Sequence, residues 1–222
     1  IVLGTILIFI IAQLVRVPLS LTMSLVGIAI GLMFHYNNFN NLNIELKIVL
    51  LWIIAPISAI LLSFLLGYIY KKINIKNIWN FTSTIKILLL VISFFSAFTL
   101  GENTLGLILN ISGVSLESTI FIIIGTVLGG YFLSEGVLRR VSFEIYLLRY
   151  STSLIAIATS ALLVEIATFL SIPLSNTQTM TLGILGVGLS YNTRYFILKP
   201  LLKILSFWII SPLIGIIVGM YI

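Results

Sequence analysis

The side chains able to do chemistry in this 222-residue chain gather in two short polar stretches inside otherwise apolar sequence. The richer one is Pro173-Leu-Ser175-Asn176-Thr177-Gln178, followed by Thr179, Thr181 and glycines at 183, 186 and 188. The other is Pro18-Leu-Ser20-Leu-Thr22, preceded by Arg16 and followed by Gly27 and Gly31. Hydroxyls and amides behind a helix-opening proline suit a tetrahedral oxyanion. The first N–H groups of a helix are unpaired, the positive end of its dipole lies there, and Ser and Thr hydroxyls add donors. Ser20, Thr22, Ser175, Asn176, Thr177 and Gln178 are therefore the candidate anion ligands. A plainer reading of the richer stretch makes Ser175 a helix cap near the lipid headgroups, with no ligand. Hydrocarbon gives such clusters no other partner, so at membrane depth they need protein or a ligand around them.

A third polar stretch, Gly101-Glu102-Asn103-Thr104, interrupts a long apolar run. Asn103 and Thr104 offer carbonyl and hydroxyl oxygens to a small cation. Glu102 beside them either carries a proton, helps hold that cation, or sits solvated at the membrane surface. Glu165 is the other acid set well into apolar sequence. An intramembrane carboxylate is costly and marks function by default. Glu165 either pairs across a repeat interface or faces an aqueous vestibule.

The elements that must position these groups are repeated. Pro18, Leu19, Ser20, Thr22 and Gly31 recur as Pro173, Leu174, Ser175, Thr177 and Gly186 at an offset of 155. Lys47, Trp52 and Pro56 recur as Lys203, Trp208 and Pro212 at an offset of 156, so one inserted loop residue explains the change. A repeat with interrupted apolar segments at matching places is the mark of a duplicated transporter. The division read from the repeat is 1–76 for the second part of the first copy, 77–150 for the first part of the second copy with its connector, and 151–222 for the remainder.

Composition narrows the class. The chain is 60% hydrophobic and 8% charged, with mean hydropathy +1.24, which describes a polytopic helical membrane protein. It has no Cys, no Asp and one His, which argues against an enzyme and against a metal centre. Its net charge of +6 reads as loop charge that sets orientation, not as a nucleic-acid surface. Expected apolar segments are Ile1–Val15, Leu19–Phe34, Ile44–Tyr70 with a kink at Pro56, Thr84–Ile111, Ser115–Leu133, Ser151–Ser171, Leu174–Leu189 and Lys199–Ile222. Ser134–Tyr150, with Arg139, Arg140 and Arg149, is expected as an interfacial helix. Trp52, Trp208, Tyr131 and Tyr221 are expected as interface anchors or packing groups. The start at Ile1, inside an apolar run, suggests that sequence precedes it. Placing the Lys71–Lys76 loop inside puts every Lys and Arg except Lys47 inside and runs the two copies in opposite senses. The expected fold is an all-α inverted-repeat secondary transporter with broken or re-entrant helices.

The Pro-Leu-Ser-x-Thr phrase, its glycines and the Trp-x-x-x-Pro helix resemble the inorganic phosphate transporter (PiT) family. That family carries a PVSTTH-like phrase in each of two inverted repeats and a GANDVANA-like phrase in an earlier helix of each. Pro173, Ser175 and Thr177 match the first phrase, with Asn176 and Gln178 in place of Thr and His. Gly101 and Asn103 match the second, with Thr104 in place of its Asp and Leu107 in place of its second Asn. Leu21 and Met23 make the first copy weaker. The resemblance implies a multi-pass cell-membrane carrier for phosphate or a related anion, with no organic cofactor, coupled to Na+ or H+ and working by alternating access. The lost Asp puts sodium coupling in doubt. It also keeps open a second reading, a degenerate relative serving as a structural subunit of a larger membrane complex, as well as a homo-oligomer.

Overall fold

The computed structural model describes residues 10, 20–40, 42–73, 77–133, 149–191 and 198–221. The expected first segment, apart from Ile10, lies outside them. So do Arg16, Pro18, Lys76, Arg194 and, apart from Arg149 and Tyr150, the connector with Arg139 and Arg140. All regular structure among the described residues is helical: α1 (Leu21–His35), α2 (Leu42–Lys71), α3 (Ile78–Leu100), a π turn (Gly101–Leu105), α4 (Gly106–Ser112), α5 (Leu116–Leu133), α6 (Tyr150–Phe169), α7 (Asn176–Tyr191) and α8 (Leu198–Tyr221).

Helix ends follow local chemistry. Asn77 caps α3 by accepting the N–H of Trp79 (3.1 Å) and Asn80 (3.3 Å), which moves its start ahead of the expected Thr84. Arg149 donates its N–H to Thr152 Oγ1 (2.8 Å) at the head of α6. Ser171 turns into the left-handed region (φ 56°) after α6, and Pro173 cannot supply the next helical N–H. Pro56 and Pro212 lie inside α2 and α8, which continue past them. The interruption expected at Gly101–Thr104 is a π turn, through which helix continues to Ser112. Among the described residues, four stretches have the length and apolarity to cross a membrane: Asn43–Lys71, Ile78–Asn110, Tyr150–Phe169 and Leu201–Tyr221.

The chain forms two compact units. Unit 1 holds Ile1–Leu50, Thr104–Ile145 and Ile197–Ile222, and unit 2 holds Leu51–Asn103 and Tyr146–Phe196. In unit 1, α1 lies parallel to α8 with backbone almost touching backbone. A Cβ on Gly27 would meet the backbone of Pro212, one on Gly31 that of Ile216 and Gly219, and one on Gly215 the Ser24 carbonyl (2.7 Å). These are paired small-xxx-small stripes, Gly27/Gly31 against Gly215/Gly219. Ser24 Oγ and Ser211 Oγ close the seam at 2.7 Å.

Unit 2 repeats the device. A Cβ on Gly186 would strike the Ile60 carbonyl and Ser63, and one on Gly67 would strike Ser190. Gly186 is the counterpart of Gly31, and Ile60 is the counterpart of Ile216. Each Pro-Leu-Ser helix therefore packs on the Trp-x-x-x-Pro helix of the other copy. The compact units cut across the sequence copies rather than following them. Unit 2 also holds α3 against α6, running parallel, and α6 against α7, where Gly183 meets the Ala156 carbonyl. Trp52 and Trp208 are buried, so they pack rather than anchor at the membrane surface.

These contacts predict a sharp contrast between glycines. Gly186→Val should destabilise unit 2 by ~1–3 kcal/mol, the usual cost of overpacking. Gly125→Ala, which has open space around it, should be neutral or mildly stabilising, since Ala is the better helix former. Thermal unfolding of purified protein in detergent measures both.

Candidate functional site

The two Pro-Leu-Ser motifs fold alike. In unit 2, Ser175 Oγ accepts the Gln178 N–H (3.4 Å) and lies 3.0 Å from Thr177 Oγ1. The Ser175 carbonyl accepts from the N–H groups of Gln178 (3.1 Å) and Thr179 (3.3 Å). In unit 1, Ser20 Oγ accepts the Met23 N–H (3.3 Å) and lies 2.9 Å from Thr22 Oγ1. The Ser20 carbonyl accepts the Ser24 N–H (3.2 Å). Ser20, Thr22 and Ser175 are buried, and Thr177 is part-buried. Both serines therefore are caps, Ser175 as the sequence suggested and Ser20 alike. Capping leaves the first helical N–H groups, those of Leu21 and Thr22 and of Asn176 and Thr177, without a protein acceptor among the described residues. Each motif is a capped helix start with a hydroxyl pair and two free amides.

The second copy has more around it. Ser160 of α6 donates to Asn176 Oδ1 (2.8 Å) and lies 2.7 Å from Thr179 Oγ1. With its carbonyl end engaged, Asn176 keeps its NH₂ as the group to offer. Gln178 is buried, and its Oε1 has no hydrogen-bond partner among the described residues.

Asn103 ties the π turn to this motif. Its Nδ2 donates to Thr168 Oγ1 (2.9 Å) and to the Ile172 carbonyl (3.3 Å). Its Oδ1 accepts the Leu174 N–H (3.0 Å). Thr168 in turn donates to the Val164 carbonyl (2.9 Å). A single side chain thus clamps both ends of the α6–α7 connection, and its carbonyl oxygen has one lone pair left. Thr104 is buried in unit 1, whereas Glu102 on the same π turn is exposed. Glu165 is part-buried with Oε2 unpartnered, and it lines an apolar cleft between α3 and α6 rather than a polar vestibule. Sequence reading passed over Ser160 and Thr168. They were visible only as single hydroxyls in an apolar run, and their importance rests on partners elsewhere in the chain. It also passed over Glu45, part-buried in the first turn of α2 with Oε2 unpartnered.

The chain is similar to known proteins. A family model described as the phosphate transporter family matches residues 108–222. MJ0630 of Methanocaldococcus jannaschii, provisionally named a phosphate permease, is 36% identical over 207 residues, covering 92% of this chain and 67% of that protein. This chain belongs to the phosphate transporter family. The sulfate permease CysP of Bacillus subtilis is 28% identical over 217 residues, covering 92% of this chain and 59% of CysP. The chain thus spans about two thirds of the length of one of these relatives and less of the other. No solved structure matches it. Membership and the apolar spans make this a multi-pass protein of the cell membrane. Asn103, which the resemblance aligns with an asparagine of the GANDVANA-like phrase, clamps the Pro-Leu-Ser loop.

The clamp can be tested separately from transport. Asn103→Ala removes three hydrogen bonds and should cost ~1–3 kcal/mol, because it leaves the Leu174 N–H unmet. Asn103→Asp keeps that acceptor but sets a buried carboxyl oxygen against the Ile172 carbonyl, so it should cost at least as much. Thermal unfolding in detergent, with hydrogen exchange at Leu174, reads both.

Proposed function

We propose that the protein carries inorganic phosphate, or a closely related tetrahedral oxyanion, across the cell membrane by alternating access between two inverted repeats. The observation that supports this most is the duplicated motif: a buried, capped helix start with a hydroxyl pair and two free amides in each copy. Such donors bind an anion through helix-terminal dipoles and neutral hydrogen bonds without a fixed Lys or Arg. A carrier must also release its load, and moderate binding allows that. Ser175, Asn176, Thr177 and Gln178 are the proposed anion ligands of the second motif, and Ser20 and Thr22 the fewer ones of the first. The names of MJ0630 and CysP support an anion of this shape.

Gln178 favours phosphate over sulfate. Its buried Oε1 lacks a donor, and at neutral pH phosphate carries a proton that it can donate, whereas sulfate carries none. Coupling is proposed to a cation, Na+ or H+, through the π turn with Glu102, Asn103 and Thr104. The second reading, a structural subunit without transport, draws on Leu21 and Met23, which take positions where the second copy has Asn176 and Gln178.

Uptake of labelled phosphate into proteoliposomes tests the proposal. Saturable uptake supports it, and no uptake by correctly folded protein favours the structural-subunit reading. Thr177→Val keeps the side-chain shape and removes one hydroxyl. It should weaken phosphate binding by ~1–3 kcal/mol, roughly a five- to hundredfold rise in apparent Kd, and Thr22→Val should cost less. Gln178→Leu should let sulfate compete better against labelled phosphate. Glu102→Gln should remove pH dependence from uptake. An unchanged pH profile would assign coupling elsewhere.

A further inference from the structure

The fold leaves two indole N–H groups over. Trp52 on α2 and Trp208 on α8 are only 8% and 6% exposed, and neither Nε1 has a hydrogen-bond partner among the described residues. Tryptophan in a membrane protein ordinarily keeps its N–H at the wet interface. Here both N–H groups are shut inside the packing of the Asn43–Lys71 and Leu201–Tyr221 spans, where an unmet donor is costly. A single orphan donor needs no explanation beyond imperfect packing. These two stand at repeat-equivalent positions, 156 residues apart, so the same donor is orphaned in both copies.

The helix seams say what each indole faces. In unit 1, α1 and α8 run parallel, with Ser24 against Ser211, Gly27 against Pro212 and Gly31 against Gly219. Carried back along the seam, that register sets Trp208 level with Ser20 and Leu21. In unit 2, Gly186 meets Ile60 and Ser63, and Gly67 meets Val187 and Ser190. The same step back sets Trp52 within about one helical turn of Ser175. Trp208 is seven residues before Gly215, and Trp52 is eleven before Ser63, so each is on the helix face that meets the motif helix. Long side chains on a helix lean over the turn N-terminal to their own Cα. Because the helices of each seam are parallel, each indole leans toward the level just in front of the motif helix. The unpaired N–H groups of Leu21 and Thr22, and of Asn176 and Thr177, point toward that same level. In unit 2, the buried Gln178 in the first turn of α7 adds an acceptor that is also unmet.

We propose that Trp52 and Trp208 each donate their indole N–H to an oxyanion at the motif beside them. This inference rests on the carrier reading and adds one neutral donor to the motif in each unit. An indole held unmet in the empty protein gains its partner only when the anion arrives. It adds affinity without a fixed cation, which suits a load that must leave again. Because it only donates, it serves phosphate and sulfate alike.

The test titrates inorganic phosphate into the purified chain in detergent, with nitrogen-15 in its indoles, and follows the indole N–H signals by NMR. The chain has three tryptophans. Trp79 is 83% exposed and serves as the internal control, with its signal identified by Trp79→Phe. The signals of Trp52 and Trp208 should move downfield as phosphate saturates, as a newly hydrogen-bonded N–H does, while that of Trp79 stays. Trp52→Phe keeps an aromatic ring and removes the donor. It should raise the phosphate Kd roughly five- to fiftyfold, and Trp208→Phe, beside the motif with fewer donors, should raise it less. An indole with only a packing role would alter the unfolding temperature and leave both Kd and the signals alone. Phosphate binding by wild type with both buried indole signals unmoved overturns the inference and leaves the carrier reading standing, as does an unchanged Kd in folded Trp52→Phe. If Trp52→Phe does not fold, the wild-type signals decide alone. A folded wild type that binds no phosphate overturns the carrier reading and this inference with it.

Discussion

The structure depends on backbone-to-backbone contact between helices that hydrocarbon gives no hydrophobic reason to associate. Association in a bilayer needs close packing and polar contacts, because lipid tails are as apolar as the side chains they touch. Gly27 and Gly31 against Gly215 and Gly219, and Gly186 against Ile60 and Ser63, provide that packing. The Ser24–Ser211 pair adds a hydrogen bond at the unit 1 seam. In unit 2, Lys71 donates to the Ser190 and Tyr191 carbonyls, where a cation meets the negative end of α7. Because each Pro-Leu-Ser helix uses the other copy's Trp-x-x-x-Pro helix, neither copy can complete its packing alone.

On that frame the polar groups sort into those the fold consumes and those it leaves available. Ser20 and Ser175 are consumed as caps, and Asn103 as a clamp. The amides of Asn176 and Thr177, the NH₂ of Asn176 and the Oε1 of Gln178 are left. The proposal of an oxyanion at the second motif rests on this division. It also explains why the first motif, with Leu21 and Met23 where the second has Asn176 and Gln178, offers its hydroxyl pair and two amides and nothing more.

Much of this was legible in the sequence, for identifiable reasons. The helices were legible because spans of this length and apolarity have few alternatives in lipid. The motif pair was legible because prolines, hydroxyls and glycines recur at fixed offsets. The family was legible from the same residues. The partnership of the copies was not, since intervals of 155 and 156 say that segments are related but not which of them touch. The π turn looked like a break because a polar Gly101-Glu102-Asn103-Thr104 interrupts an apolar run and Gly and Asn are weak helix formers. What keeps the chain helical there includes the anchoring of Asn103 to Thr168, Ile172 and Leu174, which local propensity does not contain. Glu165 was suspect from its type alone, but its apolar setting comes from Ile92 and Phe95 on a different helix.

The central claim is that one capped anion motif occurs twice in opposite orientations. The contact of Lys71 with Ser190 puts residue 72 at the same end of unit 2 as the C-terminus of α7, and Asn38 follows the C-terminus of α1. Single cysteines at Asn38 and Lys72, introduced into this naturally cysteine-free chain, can be probed in intact cells with a membrane-impermeant maleimide before and after permeabilisation. The account predicts that the two positions label from opposite faces. Labelling of both from the same face would contradict it, because the ends of the two motif helices would then share a side and the repeat would not be inverted.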